Sequence, residues 1–160
     1  MVKTGIGVDV HGFTKGEGLT LGGVNIPYEK SIAGHSDGDV VIHAIVDALL
    51  GALAGGDIGT HFPSSDPRWK GTSSRLFLQR AREILAESGG QISHVDCTVI
   101  LQEPPIAPYI PEMRRIIAAD LAIDSGQVSI KATTSDHLGF TGRGEGIAAI
   151  AVATITTKEE

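Results

Sequence analysis

The chain is expected to fold as an α+β domain in which one mixed β-sheet carries its helices on one face. Three observations predict this. Residues 3–11, 92–102, 128–134 and 147–157 are rich in β-branched residues or alternate apolar with polar ones, as strands do. Residues 39–54, 73–88 and 112–121 place apolar side chains at helical spacing. Strands and helices follow one another without strict alternation. No repeat, low-complexity tract or linker divides the 160 residues, so 1–160 is read as one domain.

Residues 3–11 (KTGIGVDVH) alternate Ile6, Val8 and Val10 with Gly5, Gly7, Asp9 and His11, which puts Asp9 and His11 on one strand face. The glycines do not complete a dinucleotide fingerprint, because Val10 stands where a glycine is required, and no P-loop G-K-[ST] occurs. Residues 19–26 form a second short strand ended by Pro27, with 12–18 as the hairpin loop between the two. Residues 39–54 are the central helix, with Val40, Ile45, Ala48, Leu49, Ala52 and Leu53 on its apolar side. Ser36 or Asp37 caps its start, and Gly55 and Gly56 stop it. Asp39, His43 and Asp47 fall on one stripe of that helix, which should face a polar site.

Residues 60–72, rich in Pro, Ser and charge, read as a long loop of the kind that serves a site. The helix at 73–88 should bury Leu76, Phe77, Ala81, Ile84 and Leu85. Residues 103–111 hold four prolines and should be an extended loop. A glycine-marked loop at 136–146 separates the last two strands. One face of the sheet is left without helices, and its β-branched strands suggest a covering partner subunit.

With 13 Lys plus Arg against 19 Asp plus Glu, the net charge is −6, which argues against a nucleic-acid binder and offers a membrane no basic patch. An anionic ligand would then need a local attraction, and a bound divalent cation is the obvious one. Aromatic residues are only 4%, so the core must be aliphatic. Cys97 is the sole cysteine; it alternates with Val95, Val99 and Leu101 and is read as a core residue rather than a nucleophile. No apolar run approaches 18 residues and no signal-peptide pattern follows Met1, which points to a bacterial cytoplasm, or to a plastid stroma after removal of a transit peptide.

Asp9 and His11, two apart on a strand, lie about 6 to 7 Å apart on one face, close enough for one cation to bridge. With His43 from the helix they supply one carboxylate and two imidazoles, the ligand count of a catalytic zinc site with an open fourth position; a polar core network is the alternative. His35 and Ser36 precede the helix N-terminus, where an anion is favoured. Lys131, Thr133, Thr134, Ser135 and Asp136 end a strand in hydroxyls that can bind phosphate, or else form an edge strand with a capping Asp. Arg143 stands among glycines as a second phosphate-binding candidate, or as a merely exposed side chain.

Together, HSDGDVVIHAIVDALLGALAGGDIG at 35–59, the D-V-H triplet at 9–11, FPSSDPRWKG at 62–71 and KATTSDHLGFTGRGEGIA at 131–148 resemble the 2-C-methyl-D-erythritol 2,4-cyclodiphosphate synthase family of the non-mevalonate isoprenoid pathway. The resemblance implies a phosphorus–oxygen lyase that converts 4-diphosphocytidyl-2-C-methyl-D-erythritol 2-phosphate to the cyclic diphosphate with release of cytidine monophosphate. It implies zinc, or a similar divalent ion, at Asp9, His11 and His43. A second ion, magnesium or manganese, is implied at the diphosphate, with Asp136 as its ligand. His35 and Thr134 take the transition-state-stabilising positions. Asp9, Val10, His11 and His35 are implied as substrate-binding, and Ser36, Asp57, Ile58, Gly59, Phe62, Pro63, Ser64, Ser65 and Asp66 match segments that hold the methylerythritol phosphate end. Leu101, Gln102, Glu103, Pro104, Pro105, Ile106, Ala107, Thr133, Thr134, Ser135 and Asp136 match those around the cytidine diphosphate. The resemblance further implies a homotrimer with sites shared between subunits. Phe140, Arg143 and Glu145 would lie near a central β-lined cavity able to hold an isoprenoid-like ligand. Two positions depart from the family: Asp136 stands where Glu is more usual, and Pro105 where many members have Lys. A zinc phosphohydrolase and a trimeric binding protein are the competing classes; inorganic phosphate as product would mark the first, and a silent zinc-loaded trimer the second.

Overall fold

The structure, a computed structural model, describes residues 1–34 and 36–158. Strand β1 (Val2–Lys15) pairs antiparallel with β7 (Gly146–Thr157) and, at its far end, with β4 (Lys30–Ile32). β7 pairs antiparallel with β5 (Gly90–Ile100), and β5 runs parallel to β6 (Val128–Thr133), so the five-stranded sheet is mixed, in the order β4-β1-β7-β5-β6. A separate ribbon is made by β2 (Gly18–Leu21) and β3 (Val24–Pro27). The helices are α1 (Val40–Ala52), α2 (Ile58–His61), α3 (Ser74–Glu87), α4 (Ile110–Leu121) and α5 (Gly139–Gly142). None among the described residues is long and apolar enough to cross a membrane.

Several boundaries differ from the sequence reading. Residues 12–18 are not a hairpin loop, because β1 runs on through Lys15 and pairs Phe13 with Ile32 of a strand too short to show periodicity. The strand expected at 19–26 is the β2–β3 ribbon, folded back at Gly22 and Gly23, whose φ of 57° and 79° favour glycine. The proline-rich stretch 103–111 is not wholly extended: a 3-10 turn at Ala107–Tyr109 leads into α4, whose first turn accommodates Pro111. The loop at 60–72 likewise contains the end of α2 and a 3-10 turn at Pro67–Trp69, and the loop at 136–146 contains α5. Leu76 is 49% exposed on the outer side of α3, whose buried face is Phe77, Leu78, Ala81 and Leu85.

Helix α1 is apolar almost all round and is sandwiched between the sheet and α3, with Val41, Ile42, Ile45, Val46, Leu49 and Leu50 fully buried. Each such side chain contributes about 1.5–3 kcal/mol relative to leaving it in water. The helix lies unusually near β1. A Cβ added at Gly5 would fall 2.0 Å from the Ala48 carbonyl oxygen, and one at Gly7 only 1.9 Å from that of Ala44. The register places Gly7, Ala151, Cys97 and Ile130 side by side under the helices, so small residues permit the approach. Burial pushes the Cys97 thiol up to about 12, which fits an inert core residue. The opposite sheet face is bare: Ile6 is 65% exposed, and Val8, Val10, Ile150 and Val152 share its apolar surface.

The N-cap of α1 is neither Ser36 nor Asp37 but Asp39. Its wholly buried carboxylate accepts from the backbone N–H of Gly22 (2.9 Å), Gly23 (2.8 Å) and Ile42 (3.1 Å), tying the ribbon turn to the helix start. Burial pushes this carboxyl up to about 6, against the pull of those three donors. Two outcomes are expected. Gly7→Ala, whose methyl meets backbone rather than a movable side chain, should cost about 3 kcal/mol or more in urea unfolding. Because the folded pKa of Asp39 lies above its unfolded value of 3.8, its contribution to stability is complete below that pH and is lost as pH rises through about 6. Unfolding free energies of wild type and Asp39→Asn, compared between pH 4 and pH 7, should show that falling component only in wild type.

Candidate metal centre and flanking clefts

Alternation along β1 turns Asp9 and His11 to the helix face, and the first turn of α1 delivers His43 to the same point. His11 Nε2 lies 3.1 Å and His43 Nδ1 3.2 Å from Asp9 Oδ2. One ligand atom from each of the three residues lies within 4.8 Å of the others. A carboxylate oxygen and two imidazole nitrogens converging in this way fit a divalent ion, and zinc is among the ions that favour the set. Burial alone would raise the Asp9 carboxyl, but the imidazoles of His11 and His43 beside it take it below the ordinary carboxylate range. The Asp9 carboxylate in turn raises His11 above the usual imidazole value, against burial.

The cluster opens on a cavity of about 260 Å³ lined also by Ser36, Ile58, Gly59, Phe62, Ser64, Trp69 and Phe77. The ring centroids of Phe62 lie 5.1 Å from Trp69 and 4.6 Å from Phe77, which builds one wall as an aromatic block. The stripe expected along α1 divides. Only His43 enters the cluster, while Asp39 caps the helix and Asp47 Oδ1 accepts from Ile58 N at 2.7 Å, pinning α2 beside the cavity. Asp57 caps α2 through Thr60, and Asp66 caps the turn at Pro67–Trp69 and pairs with Arg68, so these two carboxylates brace the wall without lining it. Pro63 and Ser65 are also off the lining. The Val10 side chain stands on the bare sheet face, 51% exposed, because alternation sends it opposite to Asp9 and His11. His35 lies outside the described residues.

A second cleft of about 300 Å³ gathers Leu101, Gln102, Glu103, Pro104, Pro105, Ile106 and Ala107 against Ala132, Thr133 and Thr134. Gln102 Oε1 accepts from His137 N at 3.0 Å, which joins this cleft to the loop after β6. In that loop Ser135 Oγ is held by Leu138 O and Thr141, whereas the Asp136 side chain is exposed beside Thr134, on a backbone with φ of 51°. Within one chain the two clefts share no lining residue. A third, of about 510 Å³, sets Arg143, Gly144 and Glu145 against Phe13, Thr14, Lys15, Glu29 and Lys30; Phe140 is outside its lining. Trp69, Phe77, Ser74 and Ala132 border these sites and were not singled out from sequence, since each is an ordinary apolar or helix-start residue in its own segment.

The profile of the YgbB family matches residues 2–156. The chain is 56% identical, over 96% of its length, to the bifunctional enzyme IspD/IspF of Rhizorhabdus wittichii, of which it spans 40%. It is 52% identical to the 2-C-methyl-D-erythritol 2,4-cyclodiphosphate synthase of Pseudomonas paraeruginosa, over 98% of this chain and 100% of that one. A solved structure of IspF from Plasmodium falciparum as a CDP complex is similar with a TM-score of 0.86 and 36% identity, over 99% of this chain and 97% of that one.

Proposed function

Because the chain belongs to the YgbB family, we propose that it cyclises 4-diphosphocytidyl-2-C-methyl-D-erythritol 2-phosphate to 2-C-methyl-D-erythritol 2,4-cyclodiphosphate, releasing cytidine monophosphate. The observation that carries the reading is the Asp9, His11 and His43 cluster opening on a cavity of about 260 Å³, with a separate cleft of about 300 Å³ ending in Thr133 and Thr134. An oxygen of the substrate's 2-phosphate attacks the β-phosphorus; the bond from that phosphorus to the bridging oxygen breaks, and the oxygen leaves with cytidine monophosphate. Such a transfer needs positioning and charge neutralisation more than covalent help.

Asp9, His11 and His43 would hold zinc or a similar ion, which when bound neutralises and orients a phosphate oxygen. The remaining work falls to the chain. Ser36 and Ser64 offer hydroxyls, and Ile58, Gly59 and Phe62 shape the pocket for the methylerythritol end; Asp57, Pro63, Ser65 and Asp66 set the wall that carries them. Leu101, Gln102, Glu103, Pro104, Pro105, Ile106 and Ala107 enclose the cytidine. Thr133, Thr134 and Ser135 address the diphosphate, and Thr134 with His35 steadies the charge that develops on it. Asp136 would hold a magnesium or manganese ion there.

The two clefts are complementary halves. A homotrimer that covers Ile6, Val8, Val10, Ile150 and Val152 would set the second cleft of one subunit beside the metal centre of the next, leaving Phe140 and Arg143 at a central cavity open to an isoprenoid-like ligand. A bacterial cytoplasm suits such an enzyme.

Phosphorus NMR of the substrate incubated with protein, zinc and magnesium should show the cyclic diphosphate and cytidine monophosphate; inorganic phosphate as the main product would overturn the reading. His43→Ala should lower the rate about a thousandfold, a rise of about 4 kcal/mol in the barrier. Asp136 is one methylene shorter than Glu and should reach its ion through water. A magnesium titration should therefore find Asp136→Asn needing more magnesium for half-maximal rate, and Asp136→Glu no more than wild type.

A further inference from the structure

His43 meets the cluster through Nδ1, and its other nitrogen points away from it. Nε2 lies 2.8 Å from Ser74 Oγ and 3.3 Å from Ser36 Oγ. Ser74 is completely buried, and its hydroxyl donates to Asp37 Oδ1, while its backbone N–H donates to Asp37 Oδ2 at 2.9 Å. Asp37 Oδ1 also accepts from the Asp39 N–H at 3.1 Å. Asp37 is thus an acceptor on both oxygens and is itself held by two backbone donors.

The direction of the hydrogen bonds follows from the inventory of donors. An ionised carboxylate only accepts, so the single hydroxyl proton of Ser74 is committed to Asp37, and Ser74 Oγ turns a lone pair toward His43. Nε2 must then carry the imidazole proton and donate it to Ser74. In the neutral imidazole, the form that ligates a metal, this leaves Nδ1 unprotonated, with its lone pair directed at the point where Asp9 and His11 converge. An acceptor at Nδ1 facing the Asp9 carboxylate at 3.2 Å is an arrangement that a cation resolves.

We propose that Ser74 and Asp37 are positioning residues of the metal centre: an Asp37–Ser74–His43 relay, half-buried at its ends and buried at Ser74, that locks the His43 tautomer and aims Nδ1 as a ligand. Helix capping does not account for this use of Ser74. The cap of α3 is the adjacent Ser73, whose Oγ accepts from Arg75 N at 3.3 Å, so two neighbouring serines divide the two tasks. Outer partners of this kind raise ligand basicity and fix ring orientation, and their loss typically costs about 10- to 100-fold in metal affinity. The inference rests on the metal reading of the cluster and goes beyond it by naming what orients its helix-borne ligand.

The test titrates metal-stripped protein with zinc and with cobalt(II) alone, following cobalt(II) absorption, and measures the unfolding midpoint of each metal-free variant. Ser74→Ala should bind both ions about 10- to 100-fold more weakly, with an altered cobalt(II) spectrum. Ser73→Ala, the control on the same turn, should lower the metal-free midpoint by losing a cap yet leave affinity within about twofold of wild type. Asp37→Asn, which keeps the shape but disrupts the acceptor end of the relay, should weaken affinity by about tenfold and supplies the answer should Ser74→Ala not fold. Wild-type affinity in Ser74→Ala or Asp37→Asn, or an equal loss in Ser73→Ala, would overturn the relay. Failure of wild type to take up either ion would overturn the metal reading itself, and the relay with it.

Discussion

The close approach of α1 to β1 is the constraint on which the rest of the structure depends. Gly5 and Gly7 leave no Cβ between strand and helix, and the carbonyl oxygens of Ala44 and Ala48 occupy that space. His43 sits one residue before Ala44, and Asp9 two residues beyond Gly7, so the contact that seats the helix also sets the imidazole against the carboxylate. Rigid packing of two elements, rather than a loop, therefore fixes the geometry of the cluster. The alanines of β7 opposite these glycines, Ala151 and Ala153, together with Ala149 opposite Asp9, keep the same layer thin across the neighbouring strand.

Around that contact, the acidic residues divide between ligand and brace. Asp37, Asp39, Asp47 and Asp57 crowd the segment around α1, yet none joins the cluster. Asp37 holds the start of α3, Asp39 the ribbon turn, and Asp47 the start of α2, while Asp57 caps that short helix. Asp37, Asp39 and Asp47 accept from buried or part-buried backbone N–H groups, and leaving such a donor buried and unpaired costs about 1–3 kcal/mol. Among the described residues, Asp9 alone combines with imidazoles. A chain of net charge −6 can thus present an anion-binding centre, because its nearby negative charges are consumed by the scaffold and a cation would supply the local field.

The sequence by itself determined the class of fold, most of its strands and helices, and the three residues of the cluster. Period-2 alternation in β1 and β7 and the 3.6-residue spacing in α1 and α3 are local properties, readable without knowing what packs where. The same locality explains the pairing of Asp9 with His11, and the ordered motifs add His43. It also explains the errors: β4 spans only Lys30–Ile32 and has no period to detect, and the β2–β3 ribbon looks like one strand until its glycines reverse it. Asp39, His43 and Asp47 share a helix stripe, but which neighbour each meets is decided by the ribbon, β1 and α2, elements far apart in the chain. Tertiary structure alone brought Ser74 behind His43 across 31 positions and Asp37 behind Ser74 across 37, because helix-to-helix contacts have no periodic trace in sequence. It alone separated the two clefts and left one apolar sheet face bare, since burial depends on what the whole chain covers and not on what any segment prefers.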